Sequence, residues 1–399
     1  MKIIQINCVY PSGSTGKIVR DLHNYLLDNG VDSKVIFGRG QRGKNAKELV
    51  PLVYYKFQKL LSIISGVMYG GCFYSTTKLI HILKREQPDI VHLQCINGNF
   101  INIYRLIKWL KKNNIITILT LHAEFMYTGN CGHAFECNQY NNGCQKCLNY
   151  KNITKSLFFN RTEYSWNRMY KAFQGFRNLE IVSVSHWLMH RAQNSKILCG
   201  FNHCCIENGL DINTFNNRFD SKPIKDNVKI ILHVTPYFSC DDNDLKGGKY
   251  IVELAKLINR KDIRIVVVGS YDTDIPPIDN IQFLGKVTDQ NRMAELYSQA
   301  SVTVITSKRE TFSMVCAESL SCGTPVVGFY AGAPETICLS DFSLFCNYGD
   351  VNNLLNNIYN ILDCNYSKQH ISLEAHKRYS AMKMGEKYME LYKNMMEKE

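Results

Sequence analysis

Residues 301–337, SVTVITSKRETFSMVCAESLSCGTPVVGFYAGAPETI, decide how this chain folds. Residues 301–306 form a β-branched run without helical periodicity, which predicts a buried strand. Residues 312–322 then predict a helix that Gly323 and Pro325 bring to an end. In an open α/β sheet, the point where a strand ends and a helix begins faces the ligand crevice, so this stretch predicts a ligand-binding edge.

The start of this helix predicts an anion site. Its first backbone N–H groups have no partners within the helix and could hold a diphosphate. These groups belong to Phe312, Ser313, Met314 and Val315. Two carboxylates flank them, Glu310 just before the helix and Glu318 about two turns inside it. Glu318 lies among apolar residues and needs a partner, which could be paired sugar hydroxyls or merely neighbouring backbone.

The spacing of Glu310 and Glu318, followed by CGTPVV at 322–327 and G-x-x-E at 332–335, resembles the donor site of retaining family 4 glycosyltransferases. The resemblance implies an α/β chain of the GT-B fold, in which two Rossmann-like domains face a cleft and the last helix crosses back to the first domain. It implies that Glu310 is catalytic and lies beside the transferred sugar, while Glu318 binds the nucleotide ribose.

The family usually has glycine two or three residues after the first of these glutamates. This chain has Phe312 and Ser313 there instead. Side chains at these positions disfavour the close backbone approach to the sugar that glycine allows, although that of Ser313 is small.

Length and composition agree with two soluble domains. The chain has 399 residues, with 45% hydrophobic and 21% charged residues. No signal peptide opens it, and the longest apolar stretch, residues 60–74, is interrupted by serine and glycine, so we expect a cytoplasmic protein. Its 16 cysteines are then expected to be reduced.

The net charge of +12 is concentrated in the first half, because residues 1–205 contain 26 basic and 10 acidic residues. Such a half suits anionic lipid, a lipid-linked pyrophosphate acceptor or nucleic acid, and it could also serve solubility alone. Residues 54–83, apolar and edged with lysine, predict either one or two helices on the sheet or a surface that enters the membrane interface.

Two further candidate residues lie in the first half. The turn at 10–16 follows a predicted strand, and the resemblance implies that Gly16 approaches the donor diphosphate. His122 ends the predicted strand 115–121. That position favours contact with substrate, and the resemblance assigns it a catalytic role at the transferred sugar. Residues 88–93, PDIVHL, resemble a strand of the same family whose second histidine is Gln94 here.

A cysteine-rich loop occupies residues 129–147. Four thiolates could form a structural zinc site, although a redox pair, disulfides or buried free thiols remain alternatives. The four candidate ligands are Cys131, Cys137, Cys144 and Cys147. A similar loop occurs in a bacterial exopolysaccharide branch of the family.

The second domain is expected to begin near Asn208. The resemblance implies that Lys246 neutralises the leaving diphosphate and that the turn ending at Val287 holds the nucleobase through its backbone. The companion arginine of the family is replaced by Pro236 and Tyr237. The loop that contains Asp242 and Asp244 could bind a metal–diphosphate, but a solvated loop is favoured.

These patterns predict an acceptor-side domain over 1–207, a donor-binding domain over 208–375 and a crossover helix in 376–399. The resemblance implies a retaining transferase that moves sugar from a nucleotide diphosphate sugar, with UDP favoured, to a saccharide acceptor, lipid-linked in capsule or exopolysaccharide synthesis. No cofactor is expected for catalysis, and peripheral contact with an anionic membrane is expected, without nucleic acid. The alternatives are a nucleotide-sugar epimerase or hydrolase and a basic nucleic-acid or membrane-binding module.

Overall fold

The structure is a computed structural model that describes residues 1–145, 147–217, 228–272, 275 and 277–397. The chain divides into two compact units. The first unit comprises Met1–Glu207 together with Met384–Glu399, and the second comprises Asn208–Lys383. Each unit is built on one parallel sheet with helices between the strands, so the α/β class predicted from the sequence is confirmed.

The sheet of the first unit has seven parallel strands in the order β3-β2-β1-β4-β5-β6-β7. The strands are β1 (Lys2–Tyr10), β2 (Asp32–Gly40), β3 (Ala46–Glu48), β4 (Ile90–Leu93), β5 (Ile116–Leu121), β6 (Leu179–Ser183) and β7 (Asn202–Cys205). The strand order reverses between β1 and β4. In open α/β sheets, ligands bind outside the carboxyl ends of the strands at such a reversal.

The helices of the first unit are α1 (Ser14–Asp28), α2 (Leu52–Ser65), α3 (Phe73–Glu86), α4 (Ile103–Lys112), α5 (Tyr150–Thr154), α6 (Thr162–Phe173) and α7 (His186–Gln193). Residues 54–83 thus contribute to two helices, α2 and α3. Five residues of α3 are buried, whereas Ser62 alone is buried in α2. Helix α3 is therefore a core helix, one of the two alternatives predicted from the sequence, whereas α2 lies at the surface.

The second unit repeats this plan with the strand order β10-β9-β8-β11-β12-β13. Its strands are β8 (Lys229–Phe238), β9 (Ile263–Tyr271), β10 (Ile281–Gly285), β11 (Val302–Ile305), β12 (Val326–Phe329) and β13 (Ser343–Cys346). Its helices are α8 (Gly248–Leu257), α9 (Gln290–Gln299), α10 (Met314–Ser321), α11 (Pro334–Ile337), α12 (Val351–Asp363) and α13 (Lys368–Tyr379). Apolar side chains from the strands, α8 and α12 form its core. The order reverses between β8 and β11.

The end of the chain differs from the single helix expected within 376–399. Helix α13 ends at Tyr379, Ser380 is extended with φ −63° and ψ 139°, and a new helix, α14, runs over Ala381–Glu397. Ser380 breaks the helix because an extended residue cannot continue the helical hydrogen-bond ladder. Across the residues that the structure describes, every helix is too short or too polar to cross a membrane.

Candidate donor site and comparison with known proteins

The predicted helix after β11 begins two residues later than expected. Helix α10 starts at Met314, so Phe312 and Ser313 precede it. The N–H groups of its first turn therefore belong to Met314, Val315 and Cys316 rather than to Phe312. The anion site predicted at the helix start keeps Met314 and Val315, both partly exposed.

Ser313 causes this later start. Its backbone is left-handed, with φ 82° and ψ 89°, a conformation outside the helical region that residues other than glycine adopt at a cost. Phe312, just before it, turns its ring into the core, where it meets the ring of Tyr379 edge-on at 6.4 Å. The burial of Phe312 helps to hold the strained conformation next to it.

Lys246 and Glu310 form an ion pair at the carboxyl edge of the second sheet. Lys246 Nζ donates to Glu310 Oε1 at 2.5 Å, and both side chains are partly exposed. The neighbouring Gly247 has φ +70°, and a Cβ atom there would lie 2.3 Å from the Thr306 carbonyl oxygen. Glycine thus allows the chain before α8 to pass directly beside the end of β11, which places Lys246 next to Glu310.

The backbone of Glu310 is fixed by a second segment. Its N–H donates to the Ala331 carbonyl at 2.9 Å, and its own carbonyl accepts from the N–H of Ala333 at 3.2 Å. The Glu335 carboxylate accepts the N–H groups of Ala331 and Gly332 at 2.9 to 3.1 Å. The G-x-x-E motif therefore stabilises the turn that pairs with Glu310.

Glu318 has a protein partner that sequence reasoning missed. The hydroxyl of Tyr297 donates to Glu318 Oε2 at 2.9 Å. Tyr297 is fully buried, and its burial, followed by the charge of Glu318, raises the pKa of this phenol well above its usual range. Glu318 is half-buried with its carboxylate oriented by this bond, which leaves a charged acceptor near the first turn of α10.

Two other loops of the second unit contain residues for which the sequence predicted nucleobase binding or metal binding. Val287 lies between β10 and α9, at the carboxyl end of a strand, and is half-buried.

Asp244 accepts hydrogen bonds from the N–H groups of Lys246 and Gly248, so it caps the start of α8. Asp242 pairs with Lys249 in an exposed ion pair. The favoured interpretation of a solvated loop agrees with these contacts.

His122 follows β5 in the first unit and is almost completely buried. Its Nε2 donates to Gln94 Oε1 at 2.9 Å, and burial lowers its pKa to about 4, so the ring is neutral at pH 7. Gln94 in turn donates to Gln5 Oε1 at 3.2 Å. Gln94, which stands where the family has its second histidine, therefore forms a hydrogen bond with His122.

A second histidine extends this polar network into helix α14. His92 contacts Thr120 Oγ1 and the Tyr392 hydroxyl, both at 2.7 Å. The Tyr388 hydroxyl lies 2.9 Å from Thr120 Oγ1. Burial lowers the pKa of His92 to about 3. The PDIVHL strand thus uses its histidine to attach the last helix to the first unit.

Gly16 does not lie in the loop where the sequence placed it. Helix α1 begins at Ser14, so Gly16 is in its first turn, and Gly13, with φ 76°, precedes the helix. A Cβ atom at Gly16 would lie 3.3 Å from the backbone of Val9 and Pro11. The glycine therefore lets the helix start sit close against the end of β1.

The four cysteines of residues 129–147 belong to the first unit, and Cys131 and Cys144 are buried. The N–H of Gly129 donates to Cys144 Sγ at 3.1 Å. Burial raises the pKa of Cys144 to about 12, and burial, followed by the other three thiols, raises the pKa of Cys131 well above its usual range. Among the described residues, no three His, Cys, Asp or Glu side chains are placed closely enough to hold a metal ion.

Known proteins share this fold over its full length. Sucrose-phosphate synthase of Thermosynechococcus elongatus matches with a TM-score of 0.70 and 16% identity, and the match covers 100% of both chains. HepE of Anabaena, solved in complex with UDP-glucose, matches with a TM-score of 0.64 and 15% identity over 99% of this chain and 100% of HepE. Two parallel sheets with these neighbours define the GT-B fold, as the sequence predicted.

The chain is a glycosyltransferase of the GT-B fold. More particularly, residues 234–364 match the family described as "Glycosyl transferases group 1", a range that contains Lys246, Glu310 and Glu318. A relative named as a colanic acid biosynthesis glycosyl transferase, WcaC of Escherichia coli K12, is 21% identical over 364 residues, covering 84% of this chain and 85% of WcaC. The enzyme class predicted from the sequence is thereby confirmed.

Proposed function

We propose that this glycosyltransferase moves a sugar, with retention of anomeric configuration, from a nucleotide diphosphate sugar to a saccharide acceptor. One observation carries the proposal: the Lys246–Glu310 ion pair lies at the strand edge where helix α10 begins. A cation and unpaired N–H groups suit a diphosphate, and an adjacent carboxylate suits the sugar attached to it.

Each candidate site residue of the second unit has a role in this proposal. Lys246 and the N–H groups of Met314 and Val315 would stabilise the negative charge of the departing diphosphate, so the transfer would require no metal ion. Glu310 would position the sugar and stabilise positive charge at the anomeric carbon. Glu318 would accept the ribose hydroxyls while Tyr297 holds its carboxylate in place.

The nucleobase would be held by the backbone around Val287. In the first unit, the family resemblance assigns the sugar hydroxyls to His122 and the approach to the diphosphate to Gly16. The neutral imidazole of His122, oriented by Gln94, suits hydrogen bonding to hydroxyl groups rather than charge neutralisation. These assignments are part of the same proposal.

The substrates are proposed from the relatives and from charge. HepE was solved with UDP-glucose, which supports a UDP-sugar donor, and the name of WcaC supports bacterial surface polysaccharide synthesis. The basic first half suits a lipid-linked acceptor with a pyrophosphate group. Such an acceptor would place the enzyme at the inner face of the cell membrane, as a peripheral protein.

The structural zinc predicted for the cysteine loop also stays a proposal. Cys131, Cys137, Cys144 and Cys147 lie on one short loop of the first unit, and four thiolates there could close a tetrahedral site if their side chains turned toward one ion. Metal analysis of the purified protein should then find one zinc per chain. Purified protein without zinc, in which a thiol reagent alkylates Cys131, Cys137, Cys144 and Cys147, would contradict this assignment.

Thermal unfolding with UDP, GDP, ADP and their sugars tests the donor site. A ligand at 100 times its Kd should add about 2.7 kcal/mol to the free energy of unfolding. We expect a shift with one nucleotide, lost in Glu318→Ala and kept in Glu374→Ala, which removes an exposed carboxylate on α13. The absence of any shift would argue against the donor site, and isomerised or hydrolysed donor without transfer would argue against a transferase.

A further inference from the structure

Helix α2 is attached to the first unit by its polar side. The Tyr54 hydroxyl accepts from Ser75 Oγ at 3.2 Å, and Gln58 Oε1 accepts from the N–H of Cys72 at 2.9 Å. Ser62, one turn further along the same side, is the buried residue of this helix. These three positions recur every four residues, so one side of α2 faces the protein.

The opposite side of α2 is apolar and faces outward. Its large apolar side chains are between 41% and 77% exposed. They are Leu52, Val53, Phe57, Leu60, Leu61 and Ile64. An amphipathic helix of a globular protein normally turns its apolar side toward the core, so this orientation indicates a surface that meets something else.

A second segment extends this surface. Leu157, Phe158 and Phe159 are 61%, 67% and 48% exposed. The N–H of Leu157 donates to the Ile63 carbonyl at 3.2 Å. At the end of α2, the Phe159 carbonyl oxygen lies 2.6 Å from the position that a Cβ atom on Gly66 would occupy. Helix α2 and residues 157–159 therefore form one continuous apolar surface, here called the outer face.

The two sequence segments that contain the outer face carry basic residues and no acidic ones. Between Glu48 and Glu86 the sequence contains five basic and no acidic residues. Between Glu136 and Glu163 it contains four basic and no acidic residues. Lys56 and Lys59 are exposed on α2 itself. Long lysine side chains can reach past an apolar surface to negatively charged groups.

We infer that the outer face docks on an anionic lipid bilayer. A helix with an outward apolar side, lysines along it and no acidic residues suits the boundary between headgroups and acyl chains. Lysine is depleted in protein–protein interfaces, so Lys56 and Lys59 on this helix favour lipid over a protein partner. At 14 residues, α2 lies in the interface instead of crossing the bilayer.

This inference deepens the proposed function, because it names the surface that would bring the enzyme to a lipid-linked acceptor. It rests on the proposed function only for that purpose, since docking on lipid does not depend on sugar transfer. Binding to vesicles and the thermal shift with nucleotide therefore report on the two proposals separately.

Sedimentation of the full chain with vesicles tests the inference. The vesicles contain either phosphatidylcholine alone or phosphatidylcholine and phosphatidylglycerol in equal parts. We expect binding to the anionic vesicles, weakened at least about tenfold in Phe57→Ser/Leu60→Ser because two large apolar side chains are lost from the interface. Lys56→Glu/Lys59→Glu should weaken binding to a similar degree at low salt, with a smaller difference at high salt.

The matched control is Leu373→Ser, which removes a side chain of comparable exposure (53%) from α13 in the second unit. It should bind vesicles like the original protein. All variants should keep the far-UV circular dichroism spectrum and the unfolding temperature of the original protein, which shows that they fold. The inference is overturned if the original protein does not bind anionic vesicles, or if the α2 variants bind equally well. It is also overturned if the original protein is an oligomer and these variants are monomers, because the outer face would then bind a second copy of the chain.

Discussion

Lys246 and Glu310 face each other at the carboxyl edge of the second sheet, with Nζ 2.5 Å from Oε1. They lie 64 residues apart in the sequence, on the segments that precede α8 and α10. The pair places a cation against the carboxylate that is proposed to face the sugar. A diphosphate that binds Lys246 must therefore share it with Glu310.

Lys246→Ala should weaken UDP binding by about tenfold and lower kcat by about a hundredfold, because the charge that stabilises the leaving diphosphate is lost. Titration calorimetry with UDP and steady-state transfer rates measure the two effects. Lys249→Ala, which breaks the exposed pair with Asp242, is the control and should change neither. Equal effects of both variants would argue against a specific role for Lys246.

Glu310→Gln should separate binding from transfer. Removal of the carboxylate frees Lys246 for the diphosphate, so UDP affinity should rise by a few-fold. Transfer should fall by about a hundredfold or more, since the amide cannot stabilise positive charge at the anomeric carbon. The same calorimetry and rate measurements apply. Weaker UDP binding in Glu310→Gln would contradict competition between Glu310 and the diphosphate.

Tyr297→Phe should lower the free energy of unfolding by about 1–2 kcal/mol and weaken nucleotide binding, because the Glu318 carboxylate loses a charge-assisted hydrogen bond. Urea unfolding followed by circular dichroism and UDP titration measure the changes. Tyr359→Phe removes a hydroxyl whose contact with Asn259 is long, 3.4 Å, and exposed. That variant should match the original protein, and a loss of equal size in it would make the Tyr297 effect nonspecific.

Ser313→Gly should raise the free energy of unfolding by about 0.5–1 kcal/mol, because the left-handed backbone at this position carries a cost that glycine does not. Ser321→Gly, at the end of α10, is the matched control. It should lower the free energy of unfolding by roughly 0.5 kcal/mol, because the serine there is helical and unstrained and glycine has the lower helix propensity. Destabilisation by both substitutions would show that Ser313 is not strained.

Acid should destabilise the first unit through its buried histidines. The pKa of His122 is lowered to about 4 by burial, below the value of about 6.5 in an unfolded chain. Between these values the unfolded chain binds more protons, so the free energy of unfolding falls as pH falls from about 6.5 to 4. The contribution of His122 over this range is on the order of 3 kcal/mol.

His122→Gln should therefore lose less stability than the original protein between pH 7 and about pH 5, because it lacks this proton uptake. Urea unfolding followed by tryptophan fluorescence reports on the first unit, which contains all three tryptophans: Trp109, Trp166 and Trp187. Parallel stability curves for the two proteins would contradict the lowered pKa of His122.

The sequence alone determined the class of fold and the elements that carry the donor site. The β-branched run before Glu310, the spacing to Glu318 and the glycine after Lys246 are local features. Backbone propensity and side-chain period act over a few residues, and they are sufficient to predict where strands and helices alternate. A strand followed by a helix start is also a local pattern, and it is sufficient to predict an anion site.

Tertiary structure decided which side chains meet. Tyr297 reaches Glu318 across 21 residues and Gln94 reaches His122 across 28, and neither pair leaves a local pattern in the sequence. The start of α10 at Met314 depends on the conformation of Ser313 beside a buried ring. Likewise, the apolar period of α2 predicts an amphipathic helix, but only packing decides that its apolar side faces outward. Such outcomes depend on the free energy of contacts between segments that are distant in the sequence. A short stretch of sequence does not specify these contacts.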